Sequence, residues 1–173
     1  MYQRGMSLIQ LLLTLSILAI TAQFSSPAYN TLIEQQRRQT LAQELTSSLR
    51  KARSEALIRH QSVVIHALEE NWSKGWRVIL DVSGQGHTDA NNPVLTERHT
   101  GLHVLIAGNS PVKHYVRFNP LGEPVLNAGA FQAGTLHVCH TKEALSHYQI
   151  VLAKSGRISL RNQMAAQALC EEA

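Results

Sequence analysis

The chain has 173 residues and a mass of 19.2 kDa, enough for one globular domain with an appendage. Apolar residues make up 44%, aromatics 5% and charged residues only 16%, which excludes a disordered acidic or basic tail protein. Two cysteines exclude a disulfide-dense scaffold or an all-cysteine zinc site, and a net charge of +4 permits an anionic partner without requiring one.

A mean hydropathy of −0.12 conceals one much greasier stretch near the N-terminus. Met6 to Phe24 carries no formally charged side chain. As a helix it covers roughly 28 Å, close to the thickness of a bilayer's hydrocarbon. Its serines and threonines can bond back to the helix's own carbonyls, whereas Gln10 wants a partner. Only five residues precede the run, and no Ala-x-Ala follows it; Ser25-Ser26-Pro27-Ala28 is a weak cleavage candidate. Arg4 ahead of the span favours a cytoplasmic start with the C-terminal bulk outside. The stretch reads as a single retained membrane anchor, the alternative being a secretory signal removed near Ala28.

Pro27 stands just past the anchor, where it should kink a helix or loosen a turn. Beyond it an amphipathic helix is expected to about His60. Leu41, Leu45, Leu49, Ala52 and Ala56 fall on one face, and Arg37, Arg38, Arg50, Lys51 and Arg53 mostly flank that stripe as a solvated face or a contact for a headgroup or partner. From Ser62 the pattern turns to short β-branched runs: 62–67, 76–82, 94–98, 102–107, 112–119, 135–140, 148–153 and 158–161. Turn-rich breaks such as Ser83-Gly84-Gln85-Gly86 and Asn119-Pro120-Leu121-Gly122 separate them. Helix first and antiparallel sheet after is an α+β architecture, with the helix stripe covering a sheet face.

Candidate chemistry is thin. Cys139 and Cys170 lie in the half placed outside the membrane, where disulfides persist. A bridge between them would close a loop of about 30 residues, worth roughly 3–4 kcal/mol in the chain-entropy view; the alternative is two unpaired thiols. His137, Cys139 and His140 cluster with His147 nearby, but in a strand His137 and Cys139 face one way and His140 the other, a poor ligand set. Asp81, Gly84, Gly86 and Asp89 lack the alternating ligands and closing glutamate of a calcium loop, so a hairpin loop is expected there. No nucleophile elbow, phosphate loop or carboxylate pair can be nominated, and neither an enzyme nor a cofactor is expected.

Arg4-Gly5 followed by Met6-Ser7-Leu8-Ile9-Gln10-Leu11-Leu12 resembles the class III leader of type IV pilins and type II secretion pseudopilins. The helix end Leu49-Arg50-Lys51-Ala52-Arg53-Ser54-Glu55-Ala56-Leu57 and the Trp72-x-x-Gly75-Trp76 strand opening resemble the GspH/FimT branch of that family. Phe118-Asn119-Pro120-Leu121-Gly122 and Ser155-Gly156-Arg157-Ile158 match its later landmarks.

The resemblance implies a type IV pilin-like fold and four regions: a leader at 1–5, an anchor and filament helix at 6–27, an amphipathic helix at 28–61 and a β-rich periplasmic domain at 62–173. It implies cleavage by a prepilin peptidase between Gly5 and Met6 and N-methylation of Met6. Implied partners are that peptidase and methylase, other minor pilins or pseudopilins, an assembly platform, and the bacterial inner membrane, crossed once before the subunit enters a surface filament. Met6 replaces the usual phenylalanine, and Gln10 stands where the family has glutamate, a departure that suits a minor subunit. The expected role is a minor type IV pilin, with the H-type pseudopilin of type II secretion as the alternative and an anchored enzyme as an outside class. FimT-type pilins are associated with DNA uptake through Gly-Arg-x-Arg. Here the motif reads Gly156-Arg157-Ile158-Ser159, so the DNA-binding candidates are Arg157 and Arg161, with Lys154, Lys113 and Arg117 widening the patch.

Overall fold

A computed structural model describes residues 7–101, 104–140 and 144–171, apart from the side chains of residues 22–28 and 30. Gly5 and Met6 lie outside the described residues, so the processing site has no structural counterpart here. The chain forms two compact units, Met1–Arg37 and Arg38–Ala173. Helix α1 (Leu8–Arg59) contributes to both and is helical on either side of Pro27.

In the first unit the described large apolar side chains of α1 from Leu8 to Ile20 all face outward. Leu8, Ile9, Leu11, Leu12, Leu13, Leu15, Ile17, Leu18 and Ile20 are each at least half exposed. A helix apolar all round belongs in lipid or among other helices. Among the described residues, no helix is long and apolar enough to cross a membrane. Thr14, Ser16 and Thr21 hydroxyls donate to carbonyls one turn back, which hides their polarity. Ser7 opens the helix, and its backbone N–H donates to Gln10 Oε1 at 3.3 Å. This is the return half of a capping box, a role glutamine fills as well as glutamate.

In the second unit the stripe is buried as the spacing predicts: Leu41, Leu45, Leu49, Ala52 and Ala56 are at most 8% exposed. Leu gives way to Ala at Ala52 and Ala56, which lets backbone approach closely. The helix stops at His60, in the left-handed region, and Gln61 N–H closes back on Ala56 O at 3.3 Å, a Schellman-type end.

Two antiparallel sheets share the core with this stripe. The first contains β1 (Val63–Ala67), β2 (Gly75–Leu80), β3 (Val94–His99) and β5 (Tyr115–Phe118), in the order β3-β2-β1-β5. The second contains β4 (Leu105–Gly108), β6 (Gly134–Cys139), β7 (Leu145–Leu152) and β8 (Ile158–Arg161) in that order, and β9 (Ala165–Ala166) pairs with β7. Alternation puts Val63, Ile65, Val116 and Phe118 inward from the first sheet and Leu136, Val138, Ile150 and Leu152 inward from the second. Arg98 of β3 reaches Glu44 of α1 through both carboxylate oxygens, at 2.9–3.2 Å, tying an edge strand to the helix.

The Trp-x-x-Gly-Trp opening of β2 now has a physical reason. Trp72 and Trp76 are 1% exposed, and Trp72 Nε1 donates to Lys113 O at 2.8 Å. Gly75 sits at φ +130°, where a Cβ would lie 2.0 Å from Arg98 O, so no other residue fits between β2 and β3.

Strand expectations change in several places; the run expected at 148–153, for one, starts earlier, as β7 at Leu145. The run at 112–119 is a strand only from Tyr115, because Asn109 and the Ser110–Val112 turn divert the chain first. β2 ends at Leu80 because the Asp81 side chain turns to hold the following loop. β9 was invisible to pattern, since two alanines carry no periodicity.

Candidate functional site

The β7–β8 hairpin places most of the candidate cations. Its tip closes through Gly156 N–H to Ala153 O at 2.9 Å and Ala153 N–H to Arg157 O at 3.0 Å. Ile158 and Leu160 pack inward, so Arg157 and Arg161 keep outward parity, as strand alternation predicts; Lys154 is exposed on the tip.

The hairpin tip docks on α1. Gly156 has φ +77°, and a Cβ there would meet Gly122 O at 2.5 Å and Arg53 Nε at 2.9 Å. Arg53 Nε donates to Gly122 O at 2.9 Å, and Arg50 Nη2 donates to Ile158 O at 3.1 Å. The result is a groove of about 400 Å³ lined by Arg50, Arg53, Ser54, Leu57, Ser155, Gly156, Arg157 and Ile158. Sequence reasoning placed Arg50 and Arg53 on a flanking helix face. Their spacing with Leu57 put all three on one side of α1, but which turn lies opposite is a tertiary fact.

Two candidates do not join this surface. Lys113 follows the Ser110–Val112 turn rather than sitting on a strand, at a separate cleft with Glu70, Trp72, Ile106 and Leu169. Arg117 is a correction: its Nη2 lies 2.9 Å from Oδ2 of Asp81, with the side chains 15% and 0% exposed. A largely buried arginine bound to a buried carboxylate cannot offer its charge to DNA. It is placed by β5 pairing, where Arg117 stands opposite Val64 on the face of the first sheet turned away from α1.

That outer face is covered by the loop between β2 and β3. Asp81 Oδ1 accepts from Gly86 N–H at 2.9 Å, and Asn92 Nδ2 donates to Gly86 O at 2.9 Å. Asp81 is thereby spent on closing a hairpin loop, the role expected over a calcium site. His87 of this loop lies between His66 and Tyr115, with ring centres 5.5 and 5.0 Å away. Burial lowers the pKa of both His66 and His87, so both favour the neutral ring.

Cys139 and Cys170 form the disulfide, with Cα atoms 5.6 Å apart. It fixes the segment after β9 against β4, β6 and β7. His137 lies beside it, fully engaged: Nδ1 is 3.1 Å from Ser146 Oγ, and Nε2 is 3.1 Å from Gln167 Nε2. Ser146 Oγ donates onward to Tyr148 O, so the consistent tautomer carries its proton on Nδ1 and accepts from the Gln167 amide on Nε2. Burial lowers the pKa of His137 as well. His140 stacks on His147 with ring centres 5.4 Å apart. Among the described residues, no three His, Cys, Asp or Glu side chains converge to hold a metal ion.

Residues 41–156 match the profile of a family described as type II transport protein GspH. Two crystal structures of the type IV minor pilin FimU of Pseudomonas aeruginosa strain PAO1 superpose on the chain with a TM-score of 0.60 at 22% identity. They cover 76% and 79% of this chain and 98% and 97% of their own. At that identity the likeness speaks for the fold. Comparison with curated protein sequences returns no match.

Proposed function

The chain belongs to the GspH family, and from that premise we propose that it is a minor pilin, a structural subunit of a type IV pilus held in the inner membrane until an assembly machine extracts it. The observation that carries this reading is the division of labour along α1. Its second half buries its stripe under its own sheets, whereas Leu8 to Ile20 turn apolar side chains outward on every side. Such a surface is stable in hydrocarbon, with all backbone groups bonded within the helix, and equally stable among neighbouring helices. Exchange of lipid contacts for helix contacts is the proposed assembly step. In this reading the anchor includes Met6 to Phe24 of the sequence, and the domain from residue 62 onward faces the periplasm and later the filament surface.

The test is the mature N-terminus. Protein recovered from membranes should begin at Met6 and carry one methyl group, and a bulky residue in place of Gly5 should block cleavage. A mature terminus near Ala28 would establish an ordinary secretory signal and end the pilin reading.

The family description favours a second reading, a pseudopilin of type II secretion. Deletion of the gene separates the two: loss of surface pili supports the first, and loss of protein secretion with pili intact supports the second. Contact with DNA, the remaining expectation, rests on Lys154, Arg157 and Arg161 alone. It would be sequence-independent and salt-sensitive, because phosphate contacts carry no base readout.

A further inference from the structure

The groove between α1 and the β7–β8 hairpin has three features that a solvated basic face lacks. First, its arginines are held in place. Arg53 donates through Nε to Gly122 O and through Nη2 to Ser155 O, and Arg50 donates to Ile158 O, all backbone acceptors outside α1. A guanidinium has five N–H donors, so most of each fork remains available and little mobility is left to lose on binding.

Second, the charge is uncompensated. Arg59, Arg77, Arg98 and Arg117 pair with Glu55, Glu97, Glu44 and Asp81. Among the described residues, no carboxylate pairs with Arg50, Arg53 or Arg157, and no acidic side chain lines the groove.

Third, the cations are flanked by exposed apolar surface. Leu57 is 41% exposed and Leu121 72%. They belong together: Leu57 lines the groove, and Leu121 precedes Gly122, which packs against Leu57. The clamp is specific to this arrangement, because Gly156 admits no side chain between Arg53 and the turn at Gly122.

We propose that this groove docks an acidic–apolar segment of a partner protein, one carboxylate on the Arg50, Arg53 and Arg157 guanidiniums and an adjoining aliphatic side chain on Leu57 and Leu121. Charge complementarity calls for the carboxylate, which a guanidinium fork grips bidentately. The apolar flank decides between anions. A phosphate backbone offers nothing to Leu57 and Leu121, whereas arginine beside exposed aliphatic surface is the composition of a protein-binding patch. The proposal does not depend on which machine the subunit serves.

The experiment uses the full chain in detergent micelles and fluorescence anisotropy of three labelled probes: a twelve-residue peptide repeating Glu-Leu-Glu-Ser, its counterpart with every leucine replaced by serine, and a short DNA duplex. Binding is counted above protein-free micelles. The leucine-containing peptide should bind at least about tenfold more tightly than its serine counterpart, since burying even one leucine is worth about that factor. Arg157→Gln and Arg53→Gln should each weaken it about fivefold or more, as loss of a charge-assisted hydrogen bond does. Leu121→Ser should weaken it with no change in the unfolding midpoint, and Arg59→Gln, whose residue pairs with Glu55, should leave it unchanged. Arg157 makes no bond that α1 packing needs, so its variant reads docking even if Arg53→Gln loosens the fold. No peptide binding, equal binding of the two peptides, tighter binding of the duplex, or indifference to Arg157→Gln would each overturn the proposal. So would self-association of the chain abolished by Arg157→Gln, which would assign the groove to a second copy.

Discussion

Replacing Arg117 should destabilise the domain through the charge left behind rather than by weakening a surface contact. Asp81 is 0% exposed, and the cation facing it is 15% exposed at 2.9 Å. With an effective dielectric of about 20, Coulomb's law makes that attraction about 6 kcal/mol. The cost of desolvating both groups offsets much of it, and breaking such a pair from one side costs about 3–5 kcal/mol. Arg117→Met keeps the aliphatic stem but strands the carboxylate, which retains only the Gly86 N–H at 2.9 Å. The expected loss is therefore at the lower end, about 3 kcal/mol. In urea unfolding of the full chain followed by tryptophan fluorescence, that moves the midpoint down by about 1 M or more. Asp81→Asn on the Arg117→Met background should recover more than half of it, a coupling that independent sites do not show. A single-variant cost below about 1 kcal/mol, or costs that simply add, would refute the claim that this pair is a buried strut of the loop and reopen Arg117 as an available cation.

Cys139→Ala with Cys170→Ala opens a loop whose ends are 31 residues apart and should cost about 3.5–4 kcal/mol, measured by urea unfolding under oxidising conditions; a cost below about 1 kcal/mol would mean the C-terminal segment holds without its staple. Gly156→Ala should cost about 2 kcal/mol or more, because it combines a left-handed φ of +77° with a Cβ 2.5 Å from Gly122 O; circular dichroism melting reads it, and a neutral result would show that the hairpin tip can move off α1. Stability should also depend on the protonation of His137. Its folded pKa lies below the ordinary value, so its contribution is complete above about pH 6.5 and is lost as pH falls from there toward the folded value. A proton on Nε2 would face the Gln167 amide, and backbone hydrogen exchange at residues 165–170 should speed up on acidification; His137→Gln should flatten that dependence.

The sequence by itself determined the parts governed by local periodicity. The stripe from Leu41 to Ala56 follows from 3.6-residue spacing, and the helix end near residue 60 from the loss of that spacing. Most strands were legible as β-branched runs between turn residues, and the cysteine pairing followed from there being only two cysteines. The outward parity of Arg157 and Arg161 followed from strand alternation. Nothing local could show that Arg117 turns away from solvent, because its fate depends on β5 lying beside β1 and on a loop from β2 folding over both. Lys113 differs for a similar reason: Val112 and Tyr115 look alike in pattern, but Val112 ends the Ser110–Val112 turn and its carbonyl and that of Lys113 are held by Trp72 Nε1. The groove at Arg50 and Arg53 is the plainest case. Its helix face was readable, but its opposite wall arrives from a hairpin about a hundred residues away, brought there by sheet pairing and by two glycines that permit the approach. Helical and strand periods are encoded residue by residue, whereas which surfaces meet is decided only when the sheets close over the helix.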